Sequence, residues 1–142
     1  MDKDIYYMRL ALEEAKEAYL QDEVPIGCVI VYQDKVLSSS SNRKTIDQVA
    51  TYHAEVLAIN DACRKLGSWY LDACTLYTTV EPCMMCTGAI IQSRIKRVVY
   101  GCHNSDFGYL SKINHKGIEI VPHILEDECR KLMRYFFLEK RK

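Results

Sequence analysis

The sequence contains no long apolar run. Nowhere do the roughly 18 successive apolar residues occur that a helix needs in order to cross a bilayer. The chain begins MDKDIYYM, and no apolar stretch of signal-peptide length follows these charged residues. These absences predict a protein that does not span a membrane, and a cytoplasmic location is the expectation.

Net charge is also absent, because 19 basic and 19 acidic side chains cancel among the 142 residues. Total charge therefore gives no support for a nucleic-acid partner, and any such partner has to be inferred from local patches. The chain has only 6 glycines and 3 prolines, with no Gly/Pro-rich linker and no internal repeat. We therefore expect a single domain that covers residues 1–142.

A second Cys-x-x-Cys pair is missing. Only Cys83 and Cys86 have this spacing, within EPCMMCTGAI. The pair alone is typical of a redox centre, of half a structural zinc site or of half a catalytic zinc site. The other cysteines occur singly, and in a reducing compartment we expect them to be small core residues. These are Cys28, Cys63, Cys74, Cys102 and Cys129.

Hydrophobic periodicity predicts alternating helices and strands. Apolar residues at steps of three and four indicate helices near 4–20, 52–67, 83–93 and 125–136. β-branched runs predict strands in GCVIVYQ, KVLSS, TLYTTV, IKRVVYG and GIEIV, the first two as a hairpin around Asp34. Pro82 suits the first position of a helix, Gly67 suits a helix end, and 39–51 and 103–117 are predicted to be loops. The order α-β-β-α-β-α-β-β-α predicts a three-layer α/β fold, with a mixed five-stranded sheet between helices.

The cysteine pair falls at the predicted start of a helix. There, free N–H groups and the helix dipole favour thiolate, the form that binds metal. His53 begins an earlier predicted helix, in the tripeptide His-Ala-Glu. If the two helix starts meet at one end of the sheet, His53, Cys83 and Cys86 can bind one Zn²⁺ and leave a fourth position open. That open arrangement is the one found in catalytic zinc sites.

Glu55 lies two residues after His53, where it can approach the metal without binding it. A carboxylate in that place can take a proton from water and later pass it to a leaving group. The order H-x-E, then P-C-x-x-C, is the signature of zinc nucleobase deaminases, and here 26 residues separate the two pieces. A redox pair explains neither His53 nor Glu55, and a structural zinc makes no use of Glu55, so a catalytic zinc is the favoured interpretation.

With these residues in place, the chain resembles the bacterial tRNA-specific adenosine deaminases, within the cytidine-deaminase-like superfamily. The resemblance runs through MRLALEEAKEAY, the EVPIG loop, SNR, HAEVLAINDACRKLGSW, TLYTTVEPCMMCTGAIIQSRIKRVVYG and a tail with ILEDEC and FF. It implies the cytidine-deaminase-like fold and one Zn²⁺ per chain. It further implies a homodimeric hydrolase that converts the wobble adenosine of a tRNA anticodon stem-loop to inosine and releases ammonia.

The resemblance also implies a role for each site residue. Glu55 would be the catalytic proton shuttle, beside the three metal ligands named above. Asn42 and the backbone of Ala54 would hold the flipped nucleoside, and Asn104 would lie near the nucleic-acid backbone. An apolar wall beside the base would consist of Val24, Pro25 and Ile26. A basic tail either contacts RNA or is a solvated helix face; it contains Arg130, Lys131, Arg134, Lys140, Arg141 and Lys142.

Three features around the substrate differ from the family pattern. Residues 49–52, which end in the bulky Tyr52, stand where Asp-Pro-Thr-Ala is usual, Asn104 stands where aspartate is usual, and the following loop is shorter. They lead us to the hypothesis of relaxed substrate choice, extending to other RNA or single-stranded DNA. The alternative is a deaminase of a free nucleobase or nucleoside of the guanine or cytosine type, which would need a closed pocket. A third hypothesis, a non-catalytic zinc-binding subunit, is disfavoured because such subunits typically lack a shuttle glutamate like Glu55.

Overall fold

The computed structural model describes residues 2–113 and 117–140. Its helices are α1 (Asp2–Leu20), α2 (Lys44–Asp47), α3 (Ala54–Leu66), α4 (Met84–Gln92) and α5 (Glu126–Lys140), with a turn of 3-10 helix at Leu110–Lys112. Its strands are β1 (Gly27–Tyr32), β2 (Lys35–Ser41), β3 (Cys74–Val80), β4 (Arg97–Cys102) and β5 (Glu119–Val121). Within the described ranges, no helix combines the length and the apolar character that a bilayer crossing requires.

The strands form one mixed sheet in the order β2-β1-β3-β4-β5. β1 runs antiparallel to both β2 and β3, whereas β3, β4 and β5 run parallel to one another. The predicted hairpin of β1 and β2 is present, with a register shift between Ile30 and Val31. The helix α4 makes the crossover between the parallel strands β3 and β4. Because the sheet contains both antiparallel and parallel pairs, the predicted mixed sheet is confirmed.

Each face of the sheet carries its own apolar core. In β1, Cys28 and Ile30 belong to one core and Val29 and Val31 to the other, as the alternation of a strand requires. Residues of α3 and α4 complete the first core, and residues of α1 and α5 complete the second. This arrangement confirms the three-layer α/β prediction. Four of the five single cysteines are buried, as expected, and Cys63 is half-buried.

The stretch 39–51, predicted as a loop, contains the end of β2 and the short helix α2. Its four helical residues show no apolar periodicity from which a helix could be predicted. The helix is supported from a distance, because the carboxylate of Glu23 accepts hydrogen bonds from the N–H groups of Thr45 (2.8 Å) and Ile46 (3.0 Å). This tertiary contact satisfies donors that an isolated helix start would leave unpaired.

The prediction that Pro82 is the first helical residue was wrong by two positions. Cys83 is the N-cap residue of α4, and the helix begins at Met84. Pro82 instead precedes the cap, and its carbonyl accepts a hydrogen bond from the N–H of Tyr109 (3.0 Å). The prediction for Gly67 is confirmed, since this residue ends α3 with a left-handed φ of 68°.

Gly27 allows α1 to pack directly against β1. A Cβ atom there would overlap the carbonyl oxygen of Ala11 and lie 2.7 Å from the backbone nitrogen of Ala15. We therefore expect Gly27→Ala to lower the free energy of unfolding by about 1–3 kcal/mol, because helix and strand must move apart. Gly88→Ala is the matched control, since a Cβ in that exposed turn of α4 meets no atom within 4 Å. Urea unfolding measures both variants, and equal midpoints would contradict the prediction.

Candidate active site

Two helix starts meet beside the sheet, as the sequence predicts. His53 is the N-cap residue of α3 and Cys83 is the N-cap residue of α4, each with an extended backbone. Neither side chain forms the usual capping hydrogen bond with its own helix. Both side chains turn instead toward a common point, where the buried Cys86 of the first turn of α4 joins them.

The spacing of the three donor atoms fits a metal. Nδ1 of His53 lies 3.7 Å from Sγ of Cys83 and 3.6 Å from Sγ of Cys86. In a tetrahedral zinc site, metal–nitrogen distances of about 2.1 Å and metal–sulfur distances of about 2.3 Å place such ligand atoms about 3.6 Å apart. The nitrogen and the two sulfurs therefore suit Zn²⁺. Among the described residues, no other group of three or more His, Cys, Asp or Glu side chains is arranged to hold a metal.

The electrostatics of the cluster also favour a cation. Hydrogen bonds from Cys86 and His53 lower the pKa of Cys83 to about 4, so this residue is a thiolate at neutral pH. The hydrogen bond with Cys83 raises the pKa of His53 and that of Cys86, whose thiol holds the shared proton. A bound divalent cation would displace that proton, because metal ligation deprotonates thiols.

Glu55 lies on the first turn of α3, and only 3% of it is exposed. Its Oε1 atom is buried and has no hydrogen-bond partner among the described residues. Burial raises the pKa of this carboxyl group to about 7, which suits a group that gains and loses a proton near neutral pH. A buried polar atom without a partner is rare in folded proteins. The arrangement indicates that a bound water or substrate supplies the missing partner.

A cavity of about 480 Å³ opens in front of these groups. This volume lies within the range of small-molecule sites. Val24 and Ile26 line it as predicted, whereas Pro25 is buried between them and lies outside the lining. The rest of the apolar lining comes from three residues that had no predicted role in the pocket: Phe107, Met133 and Phe137.

Asn42 and Asn104, both predicted to lie near the substrate, line the cavity. Oδ1 of Asn42 accepts a hydrogen bond of 2.8 Å from the backbone N–H of Ala54, so its Nδ2 group is left to donate to a ligand. The backbone of Ala54, which the resemblance implies helps to hold the nucleoside, donates its N–H to Asn42. Oδ1 of Asn104 accepts a hydrogen bond of 3.1 Å from the N–H of Phe107, which shapes the opposite side.

Two buried glutamates near the cavity were missed by the sequence analysis. Glu23 is fully buried and Glu81 is 3% exposed. The carboxylate of Glu81 accepts a hydrogen bond of 2.8 Å from the N–H of Ser111. It also lies 3.2 Å from Nδ1 of His103. Burial opposes ionisation of Glu81, but these hydrogen bonds outweigh it and lower its pKa. Their partners are mainly backbone groups brought close by folding, so the only sequence signal was the position of each glutamate beside a recognised motif.

Tyr52 does not line the cavity. Its backbone carbonyl accepts a hydrogen bond of 2.9 Å from the N–H of Arg43, and its N–H donates to the carbonyl of Val49. The Tyr52 ring is therefore not part of the cavity lining. The bulky residue is accommodated by the turn that leads into α3.

The basic tail lies partly beside the site. Arg130 and Arg134 line a second cavity of about 250 Å³, which shares Asn104 and Asp106 with the first cavity. Arg141 and Lys142 lie outside the described residues, as does the side chain of Lys140. Cationic side chains of α5 thus lie beside the second cavity, next to the site.

The fold and the site together define a class of protein. A mixed sheet between two helical layers, with a His-Cys-Cys cluster and a buried glutamate facing one cavity, is the arrangement of a cytidine-deaminase-like enzyme. A family model described as MafB19-like deaminase matches residues 1–141. The tRNA-specific adenosine deaminase of Bacillus subtilis (strain 168) is 40% identical over 151 residues, which cover 100% of this chain and 93% of that protein. The chain belongs to this deaminase family, and the predicted resemblance to the tRNA-specific adenosine deaminases is confirmed.

Solved structures show the same relationship. A chain from a study of A-to-I editing by tRNA:A34 deaminases at the wobble position is 36% identical, with a TM-score of 0.85. The match covers 89% of this chain and 98% of that chain. A guanine deaminase from Bacillus subtilis is 39% identical with a TM-score of 0.68, over 71% of this chain and 65% of that chain. Both likenesses support the predicted cytidine-deaminase-like fold.

Proposed function

We propose that this protein is a zinc-dependent hydrolase that converts adenosine to inosine in nucleic acid, with the wobble adenosine of a tRNA anticodon loop as substrate. The observation that carries the proposal is the buried, unpartnered carboxylate oxygen of Glu55 beside the cluster of His53, Cys83 and Cys86. The names of the relatives support the substrate class, since they include a tRNA-specific adenosine deaminase and a tRNA:A34 deaminase.

The residues of the chain divide the chemical work. His53, Cys83 and Cys86 would hold the Zn²⁺, which when bound supplies a Lewis acid for the activation of water. Glu55 takes up a proton at its free carboxylate oxygen, and its pKa of about 7 lets it release that proton again. As the oxygen of a water molecule bonds to C6 of the adenine, Glu55 carries one of its protons to N1 and the other to the amino group, so that a C6–O bond replaces the C6–N bond and ammonia leaves.

The cavity positions the base for this reaction. Val24 and Ile26 present an apolar surface to the purine ring, while the Nδ2 group of Asn42 donates to a ring nitrogen. A base enclosed in this way is shielded from bulk water, which strengthens every electrostatic interaction around it. An adenine stacked in a duplex cannot enter, whereas a hairpin loop presents its bases at low unstacking cost.

The wider surroundings support a nucleic-acid substrate and a second subunit. Arg130 and Arg134 lie beside the second cavity, and although Arg130 pairs with Glu126 and Asp127, the charge of Arg134 would attract a phosphate backbone. Met84 and Met85, next to the metal ligands, are 67% and 36% exposed, and such apolar side chains suit an interface in a homodimer. We also propose that the protein is cytoplasmic, that residues 1–142 form a single domain and that its substrate choice is relaxed.

Asn42 offers a test of how the base is bound. In Asn42→Asp the retained oxygen still accepts from Ala54, but the donor group is replaced by an acceptor. We expect kcat/KM for an anticodon hairpin to fall by about 10–100-fold, because a buried hydrogen bond to substrate is lost. In Asn42→Ala the N–H of Ala54 also loses its acceptor, so the free energy of unfolding should fall by about 1–3 kcal/mol as well. An Asp variant with unchanged kcat/KM would contradict this role.

A guanine deaminase is the second candidate function. The observation that favours it is the 39% identity to the guanine deaminase from Bacillus subtilis over 71% of this chain. Such an enzyme would share the metal ligands and Glu55 but would act on a free base. The lining of exposed Phe107 and the nearby arginines argues for a larger substrate that extends beyond the cavity.

A substrate panel separates the two candidates. Purified metal-loaded protein is offered an anticodon hairpin, the same hairpin with deoxyadenosine at the wobble position, free adenosine, guanine and cytosine. The proposal predicts inosine from the hairpin and little ammonia from any free base. Ammonia from guanine with none from the hairpin would establish the second candidate instead. Complete failure on the deoxy hairpin would remove the relaxed substrate choice while leaving the main proposal intact.

A further inference from the structure

Glu81 is a buried acid whose side chain forms hydrogen bonds with one segment of the chain. It lies between β3 and Cys83, and its side-chain hydrogen bonds go to His103 and to the backbone N–H groups of Asn104 (3.4 Å) and Ser111 (2.8 Å). All three partners belong to residues 103–111, which we call the wall segment. A buried carboxylate is tolerated where several donors compensate for its lost hydration.

The wall segment forms one side of the substrate cavity. Asn104, Asp106 and Phe107 line the cavity, although 72% of Phe107 is exposed to solvent. Among residues 2–113 and 117–140, no β-strand pairs along this segment, and a single isolated bridge joins Gly108 to Cys83. Its shape therefore depends strongly on the few groups that hold it, and the Glu81 carboxylate contacts it near both ends.

Gly108 shows how closely the wall segment lies against this carboxylate. A Cβ atom at Gly108 would overlap Oε1 of Glu81 and would lie 2.7 Å from its Cδ. Glycine is thus required at this position for space, because the backbone rests directly on the carboxylate. The wall segment and the Glu81 side chain therefore pack in direct contact with each other.

The opposite wall has a similar arrangement. Glu23 is fully buried and accepts hydrogen bonds from the N–H groups of Val24, Thr45 and Ile46. This second glutamate holds the stretch that brings Lys44 and Asn42 to the cavity. Each side of the cavity therefore has one buried carboxylate that collects backbone donors, and neither carboxylate is needed for the proton transfers assigned to Glu55.

We propose that Glu81 is a positioning residue that fixes the wall segment in the shape that receives the nucleic acid around the target base. This inference rests on the proposed function, because the wall segment is where nucleotides next to the target adenosine would lie. Glu81 lines the same cavity as Glu55, and its proposed role is to hold Asn104, Asp106 and Phe107 in place rather than to act on the reacting atoms. Its loss therefore weakens substrate binding more than it slows the chemical step.

Glu81→Gln tests this role with little change of shape. The amide offers one acceptor oxygen instead of two, and its NH₂ group faces a backbone donor. We expect KM for the anticodon hairpin to rise by about tenfold or more, while kcat stays within about threefold and the zinc content per chain is unchanged. Gly108→Ala, which pushes the same segment off the carboxylate, should give the same division between KM and kcat.

Hydrogen–deuterium exchange provides a readout that does not depend on activity. In Glu81→Gln the peptide covering 103–113 should exchange faster, while the peptide covering 42–50 is unchanged. Glu23→Gln is the matched control and should give the reverse pattern. Unchanged exchange of 103–113 in Glu81→Gln would overturn the proposal, as would an unchanged KM or a fall in kcat that accompanies zinc loss. If the wild-type chain deaminates no hairpin, the proposed function fails, and the exchange data still decide whether Glu81 holds the wall.

Discussion

Glu55→Gln should reduce deamination of an anticodon hairpin by about 100- to 10,000-fold, while the chain keeps its bound zinc. The amide has nearly the same shape but cannot take up and release a proton. The loss should appear in kcat, because substrate still enters the cavity lined by Asn42 and Ile26. Since the buried Oε1 atom has no partner in the described structure, we expect the free energy of unfolding to stay equal or to rise.

The measurement pairs single-turnover kinetics with metal analysis of the same sample. Glu17→Gln is a suitable control, because this glutamate is exposed on α1 and lies outside the cavity lining. Activity within a few-fold of wild type in Glu55→Gln would show that another group moves the protons. A loss of zinc from that variant would show that Glu55 supports the metal site instead.

Cys86→Ala should remove the metal and the activity together. The side chain is fully buried and supplies one of three donors that lie within 4.8 Å of one another. Loss of a direct ligand should weaken zinc binding by more than about 100-fold, since even residues that merely orient metal ligands contribute 10- to 100-fold. Zinc per chain should fall from about one toward zero after dialysis, as expected for a site with a single metal. Hairpin deamination should fall in parallel.

Cys102→Ala is the matched control for this experiment. Its thiol is also buried, but it belongs to the core beneath α1 and α5 and lies away from the metal cluster. We expect it to keep its zinc and its kcat while losing about 1 kcal/mol of stability through a small cavity. Equal zinc loss in the two variants would indicate general unfolding. Full zinc retention in Cys86→Ala would contradict the assigned ligand set.

The parts of the molecule that could be predicted from the sequence are those with local signals. The alternation of β1 and the helical spacing of α3 indicate which face each residue occupies. His53 and Cys83 stand at helix starts, and the parallel β3–α4–β4 unit helps place these starts at one edge of the sheet. Because ligand chemistry and helix position coincide there, the cluster could be inferred before any distance was known.

The parts that could not be predicted depend on contacts between distant stretches. α2 has no periodicity of its own and starts on the carboxylate of Glu23. Glu81 similarly accepts hydrogen bonds from residues 103–111. Backbone N–H groups occur at every position, so no sequence spacing predicts which of them a distant carboxylate will bind. The hydrogen bond from the N–H of Ala54 to Asn42 likewise forms only once the end of β2 and the start of α3 lie side by side.

In the proposed function, Glu55 and the cluster of His53, Cys83 and Cys86 hydrolyse adenosine within a tRNA anticodon loop. This activity is tested by mass spectrometry of oligonucleotide fragments of an anticodon hairpin that has been incubated with the metal-loaded protein in ¹⁸O-labelled water. We expect inosine at the wobble position alone, with one labelled oxygen and one ammonia for each adenosine consumed. An unchanged hairpin, in the presence of stoichiometric zinc, would contradict the proposed function.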